Sequence, residues 1–154
     1  MSKKIITNII FIMLLIFITY YCLHLYRTTL FFTKEIPYTE RIQADWNITL
    51  PENAEILHTA VEESFHNDGY CYYLIQLDSG QEDTQHFLSA FQHTPDKDAV
   101  LFYQEAVKKL HLTGDQRFTV SPDCLWSFLE TDYSQMYMLY DPVTGRLCLA
   151  GYSS

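Results

Sequence analysis

The sequence predicts an α+β domain, a small antiparallel sheet covered on one face by two helices, set behind an N-terminal transmembrane helix. Three observations predict it. The leading stretch 5–26, "IITNIIFIMLLIFITYYCLHLY", contains no Lys, Arg, Asp or Glu. Aromatic and β-branched segments are grouped on either side of two helix-like segments, and segregated strands and helices imply α+β rather than alternating α/β. Turn formers such as Asn67-Asp68-Gly69 and Asp141-Pro142 separate neighbouring strand-like runs. The length of 154 residues fits one domain behind the leader.

Residues 5–26 would reach roughly 33 Å as a helix, against a hydrocarbon core of about 30 Å. Tyr20, Tyr21 and Tyr26 crowd the C-terminal end, where amphipathic rings favour the membrane interface. A cleavable signal has a shorter apolar core ending in small residues. Here Thr19, Tyr20 and Tyr21 precede Cys22, and two phenols do not suit a lipoprotein cleavage site. An uncleaved anchor is expected. Lys3 and Lys4 place the short N-terminus on the cytoplasmic side and the C-terminal domain outside. The predicted organisation is a tail and transmembrane anchor over 1–26, a juxtamembrane tether over 27–45, and an extracytoplasmic domain over 46–154.

From Glu35 onward there are 19 acidic residues against six basic ones, a formal charge of −13. That field repels phosphate backbones, so nucleic acid is excluded as a partner class. Cys71, Cys124 and Cys148 lie beyond the anchor. Oxidising surroundings would allow one disulfide and an odd thiol, but their apolar contexts equally suit buried free thiols.

Along the domain, "DWNITLP" reads as a short β-like piece stopped by Pro51. Residues 54–65 fit both strand alternation and a helical face; the "HNDG" turn favours a strand. "YCYYLIQL", 70–77, is bounded by Asp-Gly and Asp-Ser-Gly and reads as its partner. Asp83 is placed to cap a first helix that carries Phe87, Leu88 and Phe91 on one side. Thr94, Pro95 and "DKD" read as the start of a second helix, with Val100, Tyr103, Val107 and Leu110 as its buried stripe and Gly114 as its end. "CLWSFLE", "QMYMLYD" and "RLCLAGY" then return as strands, the last two joined by a hairpin at Asp141, Pro142 and Gly145.

Chemistry-bearing patterns are sparse. His66 and Asp68 form the best polar cluster, able to bind a ligand at a loop tip, although Asn-Asp-Gly is also what a tight turn requires. No pair of histidines shows metal-ligand spacing, and no nucleophile motif or phosphate loop occurs; neither a metal nor a cofactor is expected. Cys124 with a distant histidine could mimic a thiol hydrolase only by proximity in the fold. Tyr70, Tyr72, Tyr73, Trp126, Tyr133, Tyr137 and Tyr140 concentrate on predicted strands. Helices on one face would leave phenols such as Tyr72 or Tyr137 exposed on the other, as at recognition surfaces; core packing is the competing explanation.

The run "LPENAEIL", "FHNDGYCYY", "VSPDCLW" and "YDPVTGRL" resembles a group of small uncharacterised bacterial proteins in which an anchor or lipoprotein signal precedes an extracytoplasmic domain of this size. The resemblance spans roughly 46–152 and implies location and fold, with no activity to carry over. Two functional expectations follow. One is a membrane-tethered binding module that meets a protein or cell-wall component outside the cell, including an immunity or inhibitor role suited to a small acidic domain. The other is a membrane-anchored hydrolase using His66 and Asp68.

Overall fold

The structure is a computed structural model and describes residues 13, 16–22, 37–62, 68–94 and 96–154. The body with its own core is Tyr38–Ser154. In the preceding unit, Met1–Pro37, residues 16–22 are helical. Among the described residues no helix is long and apolar enough to cross a membrane. Most of the expected span over 5–26 lies outside the described residues, as do the turn residues 63–67, His66 included.

The body begins earlier than expected. Tyr38–Trp46 is a helix, α1, and not part of a tether; Ile42 and Trp46, four apart and so on one face, are buried in the core. Asn47 ends it in the left-handed region at φ 53, its N–H bonded to the Gln43 carbonyl at 2.9 Å. Residues 47–50 are therefore irregular, not the β-like piece that "DWNITLP" suggested.

Strand β1 is Glu55–Val61 and β2 is Gly69–Gln76. Helix α2 covers Glu82–Leu88, followed by the two-residue strand β3, Gln92–His93. Helix α3 is Lys97–Lys109, and a 3-10 turn occupies Gly114–Gln116. Strands β4 (Leu125–Glu130), β5 (Ser134–Asp141) and β6 (Arg146–Ser153) complete one antiparallel sheet in the order β1-β2-β6-β5-β4-β3. The β5–β6 turn forms as its residues dictate. Asp141 accepts from the Val143 N–H at 3.1 Å and the Thr144 hydroxyl at 2.7 Å, and Gly145 supplies the positive φ of 70.

Helix boundaries differ from expectation at three places. Asp83 lies inside the first turn of α2, not at its cap; its carboxylate accepts from the Glu52 and Thr84 N–H groups, each at 2.9 Å. Asp96 is the residue before α3, and Thr94 sits outside the helix at φ 67. After α3 the left-handed residue is His111, φ 53, while Gly114 opens the 3-10 turn. The buried stripe is Ala99, Tyr103 and Ala106, with Val107 and Leu110 packed at its side.

The larger correction concerns the faces. The helices do not share one side of the sheet. Cys71, Tyr73, Ile75, Met136, Met138, Tyr140, Leu147 and Leu149 point one way, beneath Ile42, Trp46, Phe87, Leu88 and Phe91. Tyr72, Leu74, Leu139, Cys148 and Ala150 point the other way, beneath α3, Leu112 and Phe118. The physical reason lies in the strands themselves. "YCYYLI" and "LCLA" are apolar at consecutive positions, and such runs require cover on both faces. At Gly151 the cover is so close that a Cβ would lie 2.9 Å from the Trp46 ring and from the Met136 methyl.

Two outcomes are expected. Gly151→Ala should overpack the α1 side and cost about 1–3 kcal/mol in urea unfolding; an unchanged midpoint would contradict the Trp46 contact. Burial also pushes the Cys71 thiol from 9.0 and the Tyr73 phenol from 10.0 up to about 12 each. Above those ordinary values the unfolded chain releases protons that the folded chain retains, so the stability these two groups contribute should be constant below pH 9 and be lost from pH 9 to about 12. The urea midpoint against pH checks this, and Tyr73→Phe should make the fall above pH 10 shallower.

Candidate functional site

The α3 side of the sheet is sealed at its centre and open at one end. At the centre, the Tyr72 hydroxyl donates to the Gln116 carbonyl at 2.8 Å and the Tyr103 hydroxyl to the Phe118 carbonyl at 2.6 Å. Both phenols are held far above their ordinary range, first by burial. Tyr72 is fully buried, whereas the sequence suggested an exposed phenol. α3 covers the centre of that face, so it is not bare as expected.

Tyr137 is different. It pairs with Ala150 on β6, which also faces Tyr72, so the register puts all three on the α3 side. The small Ala150 leaves room between the two phenols, and Phe102 of α3 lies against Tyr137 with ring centroids 4.9 Å apart. From there the rings continue in both directions. Phe128 on β4 lies 4.6 Å from Tyr137; Tyr70 on β2 lies 5.7 Å from Phe102; Tyr152 on β6 lies 5.1 Å from Tyr70. These five rings form a ladder across β2, β6, β5 and β4, four of them half-buried and Phe128 39% exposed. Offset rings at such separations attract one another beyond their buried area, by about 0.5–1.5 kcal/mol per pair.

Carboxylates edge the ladder. Burial raises the Tyr70 phenol to about 12, with the hydrogen bond and charge of Glu105 next and Tyr152 and Glu62 adding to it. The Glu62 carboxylate is held beside Tyr70 by its N–H at 3.2 Å. Tyr137 is raised by burial and then by Asp98, Asp96 and Glu130. All five carboxylate residues are exposed. Among the described residues the ion pair is Arg41 with Asp45, on α1, so none of the five is neutralised by one.

The other expected groups do not assemble into a site. Asp68 is half-buried just before β2, and His66 lies outside the described residues. Among the described residues no cluster of His, Cys, Asp and Glu could hold a metal. Cys124 is fully buried, its sulfur accepting from the Ser121 N–H at 3.2 Å. Cys71 pairs with Gly151 and Cys148 with Leu74, placing the two thiols on opposite faces of the sheet. Compared with family models, curated proteins and solved structures, the chain matches none.

Tyr137 stands out in the sequence, but the rings beside it do not. Phe128, Phe102 and Tyr152 were legible only as strand and helix residues, because their meeting depends on register. The alternation of Tyr70 and Tyr72 in β2 was the available signal.

All three cysteines of the body are free and buried. In the full chain with Cys22→Ser, they should react with a thiol reagent only after denaturation. Fast reaction of one thiol in the native protein would contradict this packing.

Proposed function

We propose that the chain is a single-pass membrane protein that holds an acidic α+β binding module outside the cell, where it contacts another protein. One observation carries this reading. The ring ladder is a half-exposed run of aromatic rings beside the buried middle of the sheet. Aromatic residues are enriched at protein contact surfaces because they bring large area with little rotamer entropy. An uninterrupted apolar patch of this kind marks a site of association.

The anchor reading is supported by the charge-free stretch 5–26 and by residues 16–22, where Ile16, Phe17, Ile18, Tyr20 and Tyr21 leave their side chains exposed along a helix. Lipid would cover such a surface. Lys3 and Lys4 support a cytoplasmic N-terminus. The formal charge of −13 beyond the anchor would speed encounter with a basic partner, as in an immunity or inhibitor protein acting on a secreted toxin or hydrolase. The hydrolase alternative gains no supporting observation among the described residues.

A photoreactive benzoylphenylalanine at position 128 tests the reading in the cells that make the protein, with position 143, on the distant β5–β6 turn and also exposed, as the control. The expected result is a discrete cross-linked product from 128, absent from 143, and degraded by protease added to intact cells. No product from 128, or equal products from both positions, would overturn the contact surface. A product shielded from external protease would overturn the placement.

A further inference from the structure

The chemistry of the surface narrows what occupies it. Five aromatic rings follow one another in contact, Tyr152, Tyr70, Phe102, Tyr137 and Phe128. Glu62 and Glu105 stand at the Tyr70 end, and Asp96, Asp98 and Glu130 stand at the Tyr137 end. Lys108 and Lys109 occupy the last turn of α3, beyond Glu105. The ladder therefore sets half-exposed aromatic rings, whose faces attract cations, between carboxylates that form no ion pair among the described residues. Both features favour the same ligand sign, and they do so independently.

We infer that the ladder is a docking surface for an arginine-bearing segment of a protein partner. The inference rests on the proposed binding function and names the partner's chemistry. A guanidinium is planar and weakly hydrated, so it can stack flat on a ring while its N–H groups reach a carboxylate at the rim. An ammonium gains the charge but not the stacking or the bidentate fork. A neutral glycan could stack on the rings and donate hydroxyl hydrogen bonds to the carboxylates, but it would gain no net charge attraction from them. Charge and ring geometry together select arginine.

The test uses the full chain in micelles of an uncharged maltoside detergent, with labelled oligoarginine and oligolysine of equal length and an N-acetylglucosamine oligomer as probes. Oligoarginine should bind most tightly, and added salt should weaken it. Asp98→Asn and Phe128→Ala should each weaken it by about two- to fivefold, the size of one exposed ion-pair or cation–π contact. Glu82→Gln changes the net charge equally but lies on α2, against the opposite face; it should weaken binding less than Asp98→Asn. Equal losses in Asp98→Asn and Glu82→Gln would show attraction to net charge alone and overturn the inference. So would oligolysine binding as tightly as oligoarginine, or preference for the glycan. Asp98→Asn changes only an exposed charge, so the test survives any folding defect in Phe128→Ala. A specific cross-link from position 128 alongside failure of these peptides would sink the arginine inference and leave the binding function standing.

Discussion

The structure depends on a sheet whose middle strands are apolar on both faces. β2, β6 and β5 place Tyr73, Leu149 and Met138 on one side and Tyr72, Leu74, Cys148 and Leu139 on the other. Neither side can be left to water. At roughly 25 cal/mol per Å² of apolar surface, leaving either face bare would forfeit far more than the few kcal/mol by which domains are stable. The chain meets the constraint by division. α1 and α2 go to the Trp46 side, and α3 with the segment after it goes to the Tyr103 side. Gly151 shows how closely the first cover sits, since the Trp46 ring occupies the space of an ordinary side chain there.

The candidate site is what this division leaves over. α3 is 13 residues long and buries Ala99, Tyr103 and Ala106 against the sheet. It seals Tyr72 but only borders Tyr70, and Tyr137 and Phe128 further along the row that Tyr72 shares through Ala150. Phe102, on the flank of α3, bridges those strand rings into one ladder. The aromatic surface is thus a consequence of how a single helix covers one face. Carboxylates arrive from α3 itself and from the ends of β1 and β4, which brings an acidic rim to the rings.

Much of the fold was legible because local patterns agreed with the global answer. The strands at 55–61, 69–76, 125–130, 134–141 and 146–153 are marked by aromatic and β-branched content and by the turn residues between them. What was not legible depended on contacts distant in sequence. α1 was hidden because its stripe is only Ile42 and Trp46, and its end marker, Asn47, also suits a turn. The assignment of α2 and α3 to opposite faces follows from the consecutive apolar positions in β2 and β6, which a reading based on alternation overlooks. Tyr72 and Tyr137 have the same sequence character and different fates. Ala150 stands between them in register, and only the helix above decides which is covered.

Hydrogen exchange on the full chain addresses the two-sided core most directly. If cover on both faces holds the sheet, the amides of residues 40–46 should be protected along with those of β2, β5 and β6, as parts of one cooperative unit. Exchange of residues 40–46 at the rate of an unstructured tether, with the sheet still protected, would contradict the account.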